Sequence, residues 1–109
     1  MFARVTTVQI LPGKESELLQ VMERVVAPAA KRQRGFKGLL NLTGHGTHKG
    51  VGISLWESED DLFASETAGY LQEMTAQVSA FLVMPPFREV FQVRFMVDPD
   101  EGEAGPPVG

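Results

Sequence analysis

The chain contains no cysteine, which excludes disulfides, thiol nucleophiles and thiolate metal sites and fits a reducing cytoplasm. It also lacks an apolar run long enough for a membrane span, and "MFARVTTVQI" has no basic segment followed by a long apolar one. A soluble, unprocessed, cytoplasmic protein without a membrane partner is expected. Charge of one sign is not concentrated in the body of the chain. From Met1 to Val97 there are ten basic and ten acidic residues, and Asp98 to Gly109 adds four acids and no base. A body neutral by count lacks the basic face that neutralises phosphates, so no nucleic-acid partner is expected. The one dense basic stretch, "KRQR" at Lys31 to Arg34, falls at a predicted helix C-terminus, where cations offset the helix dipole. P-loop, dinucleotide glycine pattern and nucleophile elbow are missing. "GHGTHKG" follows a strand but leads into another strand, without the helix dipole that would hold a phosphate.

What is present is one domain with one modest core: a chain of 109 residues buries roughly two thirds of the surface it exposes when unfolded. Phe2 to Leu11 alternates, is rich in β-branched residues and stops at "LPG", the pattern of a strand closed by a turn. From Lys14 the spacing turns helical, with Leu18, Met22, Val25 and Ala29 on one face and Leu19 and Val26 widening the stripe. Pro28 has no N–H to donate and crowds the carbonyl one turn back, which predicts a kink or break near Arg24 to Ala27, and Gly35 is the expected stop. "FKGLLNLT" (Phe36 to Thr43) and "GVGISLWE" (Gly50 to Glu57) read as a hairpin turning through "GHGTHK". Ser58 is placed to cap a second helix, with Asp61 in the capping-box position and Glu59 and Asp60 in the first turn. Gly69 is expected to interrupt that helix, after which Tyr70, Met74, Val78 and Phe81 form one stripe until Pro85 and Pro86. A last strand is predicted from about Phe87 to Val97, with Phe91, Val93, Phe95 and Val97 on one face and Gln92, Arg94 and Met96 on the other. The acidic Gly/Pro-rich tail, 98–109, has no aromatic residue and cannot form a core, which leaves 1–97 as the domain.

The order β-α-β-β-α-β is the ferredoxin-like arrangement of the α+β class, a four-stranded antiparallel sheet with both helices on one face. The other face then needs an account. Phe2, Val8, Leu39, Trp56 and Met96 sit on the phases opposite the more regular apolar positions, so the second face is expected to be apolar and to meet another subunit.

"ARVTTVQILPGKESEL", "PAAKRQRGFKGLL", "SLWESEDDLFASETAGY" and "PPFREVFQV" together resemble the dimeric α/β-barrel superfamily, near the antibiotic biosynthesis monooxygenase (ABM) domains. The likeness spans almost all of Ala3 to Val97, and "GFKG" and "LWES" are its most specific pieces. The resemblance implies a homodimer in which two sheets pack face to face, each subunit keeping a small-molecule pocket between sheet and helices. It leaves the activity open between a cofactor-independent monooxygenase of an aromatic or polyketide-like substrate and a non-catalytic protein that binds a metabolite or serves as a stress-related module. Haem-degrading members use an Asn on the first strand and a Trp and a His in the second helical region. Those positions are here Thr6, Ser65 and Met74, a set without an iron-ligating histidine.

Oxygenation without metal or flavin, the expectation that no cofactor is required, needs a base, an oxyanion partner and a dry pocket around a substrate that forms a stabilised carbanion. The candidate catalytic groups are Arg94, Tyr70 and Asn41, and the candidate ligand contacts are Arg4, Ser54, Trp56 and Met74. Each also has a structural reading. Arg4 and Arg94 could snorkel at a sheet edge or pair across the dimer. Asn41 and Ser54 could bond to neighbouring strands. Tyr70 could be an amphipathic core residue, Met74 adaptable lining, and Trp56 a packing anchor. His45 and His48 form an H-x-x-H pair on a glycine-rich hairpin. The usual zinc sites need three or four ligands on a firmer platform, so no metal is expected there.

Overall fold

The computed structural model describes residues 1–99; the acidic tail predicted over 98–109 lies outside the described residues from 100 onward. Four strands, β1 (Phe2–Gln9), β2 (Phe36–Thr43), β3 (Lys49–Trp56) and β4 (Phe87–Gln92), form one sheet in the order β2-β3-β1-β4. Each of its three pairings is antiparallel. This is the ferredoxin-like architecture expected from the element order. Beta-branched residues supply the alternation of β1, and the β2–β3 hairpin turns through Gly44 to Lys49, with Gly46 at φ 71°. The last strand is shorter than the predicted Phe87 to Val97: it ends at Gln92, because β1, its pairing partner, runs out at Phe2. The N–H of Val93 still donates to the carbonyl of Met1, and beyond it the chain leaves the sheet.

The first helical region is one rod in three pieces: α1 (Glu15–Val21), a π-helical turn (Met22–Val26) and α2 (Ala27–Lys31). The irregularity falls where Pro28 withholds its N–H, so the predicted break takes the form of a widened turn rather than a gap. After β3, Ser58 caps α3 (Glu59–Thr67) by accepting from the N–H of Asp61 at 3.1 Å. The reciprocal half of the capping box is not made. The Asp61 carboxylate pairs with Arg34 at 2.8 Å, closing α3 against the turn at Gly35, whose φ of 79° and lack of Cβ let the carboxylate lie against it. Gly69, at φ 88°, separates α3 from α4 (Tyr70–Val78), and a short 3₁₀ turn (Ser79–Phe81) leads to β4. Trp56 and Leu62 are fully buried between the sheet and α3.

The two sheet faces are the reverse of the sequence expectation. Phe2, Val8, Leu39 and Trp56, expected by phase on the outer face, share the helix-facing side with Arg4, Thr6, Asn41 and Ser54. The regular apolar positions point outward: Leu40 and Leu42 on β2, Val51, Ile53 and Leu55 on β3, and Phe87 and Phe91 on β4. The physical reason is that the helix-facing side encloses a cavity and so tolerates small and polar residues. Met96, the fifth residue of that set, lies beyond the end of β4 and on neither face of the sheet. An apolar outer face therefore exists, made of different residues. Among the described residues no helix is long and apolar enough to cross a membrane.

Candidate functional site

A cavity of about 120 Å³ opens between the helix-facing side of the sheet and the helices. Its apolar wall comes from Leu18, Met22 and Val26 on the first rod, Leu39 on β2, and Leu71, Met74 and Val78 on α4. Room for it comes from β3, where Gly52 and Ser54 stand in the phase that would otherwise carry large side chains. A Cβ on Gly52 would meet nothing nearer than Asn41 Oδ1 at 3.9 Å, whereas one on Gly50 would press on Val8 Cγ2 at 2.9 Å. The open space thus begins at Gly52, and the sheet is tightly packed two residues earlier.

Polar groups converge on this wall from several elements. Arg4 is 3 % exposed and sits on β1, an interior strand, so the sheet-edge reading does not apply to it. Its Nη2 donates to Ser65 Oγ at 2.7 Å, to the Leu62 carbonyl at 2.9 Å and to Glu66 Oε1 at 3.4 Å, all on α3. Ser65 in turn donates to the Leu62 carbonyl at 2.6 Å. The guanidinium lies 5.5 Å from the centroid of Trp56. Burial lowers the Arg4 pKa, and the charge of Glu66 partly offsets that. Burial likewise holds the Tyr70 hydroxyl above the range of a free phenol, with the Arg4 charge pulling the other way. Tyr70 is therefore a neutral donor at physiological pH.

Of the residues singled out from sequence, Arg4, Asn41, Ser54, Tyr70 and Met74 line the cavity together. Trp56 does not line it. At 0 % exposure it stands behind the wall, packed edge-on against Phe36 at 5.7 Å and Tyr70 at 6.4 Å, with its N–H donated to Ser54 Oγ at 2.9 Å. Arg94 is outside the cavity and exposed, because β4 ends two residues before it. The arginine that β4 brings to the wall is Arg88, in the same alternation phase as Gln92 and Arg94, and it bonds through Nη2 to Thr75 Oγ1. Extending that phase back to the start of the strand would have found it. Ser65 and Glu66 carried no signal of their own, since capped helices commonly hold such residues on solvated faces. Of the positions that differ from the haem-degrading pattern, Thr6 and Met74 line the cavity and Ser65 is a partner of Arg4. At the hairpin, His48 Nδ1 pairs with Glu15 Oε1 at 2.7 Å, and His45 stays exposed.

No family model and no curated protein matches the sequence. Solved structures do match. A monooxygenase from the ActVA-Orf6 gene of Streptomyces coelicolor, crystallised with nanaomycin D, superposes with a TM-score of 0.76 at 20 % identity over 91 % of this chain and 92 % of that one. SnoaB, a cofactor-independent oxygenase from Streptomyces nogalater, gives 0.73 at 18 % identity over 88 % and 95 %. The fold is that of the ABM domains. The same ABM-like fold is also shared by a Nitrosomonas europaea protein of unknown function, with a TM-score of 0.73 at 18 % identity over 92 % and 95 %. At such identities the ABM likeness fixes architecture, and chemistry has to be argued from the cavity.

Proposed function

We propose that this protein binds a flat apolar or aromatic small molecule in the cavity between sheet and helices and oxygenates it without metal or flavin. The observation that carries the reading is the cavity itself: an apolar wall with a few convergent polar groups, Arg4, Asn41, Tyr70 and Arg88, on a rigid sheet and helix. The oxygenase names of the two Streptomyces neighbours give it a chemical direction. For an anthrone, loss of a proton from the ring methylene gives a stabilised carbanion, which passes one electron to O₂. The radical and superoxide then combine to a peroxide, and loss of water leaves the quinone carbonyl, so one O₂ yields one quinone oxygen and one water. Arg4 and Arg88 would stabilise the oxyanion, while Tyr70 and Asn41 would orient it. The test is oxygen consumption with anthrone- or quinol-like substrates. Gly52→Leu, which fills the cavity from the sheet side, should abolish turnover in folded protein, and Tyr70→Phe should slow it. Arg94→Ala, outside the cavity, should leave it unchanged. Uptake that survives Gly52→Leu would remove the cavity from the mechanism.

A second reading has its own support. Among the described residues that line the cavity none is a His, Asp or Glu, so a general base is not evident. Binding without turnover fits that composition. The two readings separate on whether a ligand is recovered unchanged after incubation in air.

The proposal includes a homodimer built through the outer sheet face. Leu40, Leu42, Phe87 and Phe91 are 54, 44, 63 and 48 % exposed there, on the two edge strands, with Val51, Ile53 and Val5 between them and Glu89 as a charged exception. Sedimentation at micromolar concentration should show a dimer, and a stable monomer would contradict this arrangement.

A further inference from the structure

Among the described residues, the ionisable groups that line the cavity are two arginines and a tyrosine, with no carboxylate. Three surface cations, Lys14, Arg34 and Lys37, each face an acid, Glu17, Asp61 and Glu57 respectively. Within the cavity, Arg4 has one carboxylate, Glu66, at 3.4 Å, already shared with two neutral acceptors. Arg88 makes no ion pair among the described residues. Its Nη2 bonds to the neutral hydroxyl of Thr75, and its Nε is buried without an acceptor, as is Nε of Arg4. The register sets Arg88 opposite Thr6, and Val90 opposite Arg4, so the two guanidiniums are diagonal neighbours on one face; Arg4 is repelled by Arg88, and Glu66 attracts both. Guanidinium does not lose its proton to relieve this. A buried and a half-buried cation that share one carboxylate leave positive charge over, which an incoming anion would offset and a neutral ligand would not.

We propose that the cavity is selective for organic acids: the apolar body of the ligand lies along Gly52 and Leu39, and its deprotonated oxygen is held by Arg88 with support from Arg4. This rests on the cavity being the ligand site, and it adds the charge of the ligand. The anionic oxygen is either a carboxylate or an ionised acidic hydroxyl. Calorimetric titration with three probes of similar shape separates these sources: 2-naphthoate, 2-hydroxy-1,4-naphthoquinone in its ionised form, and uncharged 2-naphthamide.

At least one acid should bind about tenfold or more tightly than the amide, as expected for a charge-assisted contact. Arg88→Gln, with folding checked by its melting curve, should bring that ratio close to one while leaving the amide's affinity in place. Arg88→Lys, which keeps the charge and loses the planar fork, should retain part of the preference. Equal affinity for acid and amide, a preference that survives Arg88→Gln, or no binding of either acid would overturn the proposal. Oxygen uptake is read separately. An acid preference without uptake leaves this inference standing and sinks the oxygenase; uptake on neutral substrates without an acid preference does the reverse.

Discussion

On β3, Val51, Ile53 and Leu55 point away from the helices, while Gly50, Gly52 and Ser54 point toward them, and the same division continues on either side. Outward, β2 offers Leu40 and Leu42; inward it offers Leu39 and Asn41. The apolar face is the one left open, and the face covered by helices is the mixed one. In a monomer whose sole task was stability the assignment would be the other way round, since burying aliphatic side chains is the main source of folding free energy. The covered face is shaped around a space, and the open face is the one on which the proposed dimer would form. Each half of that statement can be broken separately.

The largest effect is expected from Trp56→Ala, which removes the side chain that backs the cavity wall and is itself wholly buried. It should destabilise the fold by about 3–5 kcal/mol in denaturant titration. A loss below about 1 kcal/mol would mean that the covered face does not depend on its aromatic anchor. On the open face, Leu40→Glu combined with Leu42→Glu should convert dimer to monomer in sedimentation, weakening association by roughly a hundredfold or more, about 2.7 kcal/mol. If the double variant remains a dimer, the outer face is not the interface. Arg4→Met removes three hydrogen bonds to α3 and should cost about 1–3 kcal/mol. An unchanged melting temperature would show that these bonds do not tie the helix to the sheet.

The two glycines of β3 give a smaller and sharper contrast. Gly50→Ala forces Val8 and Ile10 to move and should cost about 1–3 kcal/mol. Gly52→Ala enters open space at an ordinary backbone conformation and should stabilise by about 0.4–1 kcal/mol. Equal effects would deny the cavity its boundary. The smallest effect is read at Tyr70, the one tyrosine of the chain. Its absorbance titration should have a midpoint above that of a free phenol, since burial raises its pKa. The sign follows: the stabilisation is fully present below the unfolded tyrosine pKa and is lost as pH rises through the higher folded one. A free-phenol midpoint in folded protein would place Tyr70 in water.

Much of the fold was legible because it is written in local rules. Ser58 caps α3, Gly69 divides the second helical region, and Pro28 disturbs the first, as their chemistry requires. The cavity was half legible: Arg4, Asn41, Ser54, Tyr70 and Met74 could be picked out as polar or adaptable residues in apolar surroundings. Arg88 stands at the very start of the predicted strand, beside two prolines, where period-two alternation has too few residues to be read. The alternation itself runs on to Arg94, past the point where β1 stops offering a partner.

Alternation in the sequence determined that two sets of residues occupy opposite faces of each strand, and capping, glycine and proline positions determined where the elements start and stop. Which set faces the helices could be decided only by the tertiary structure. Period-two alternation is symmetric between the faces, and the choice depends on what lies across from each one. Here that is a cavity bordered by Gly52 and two arginines on one side, and on the other an apolar sheet that the chain's own helices do not reach.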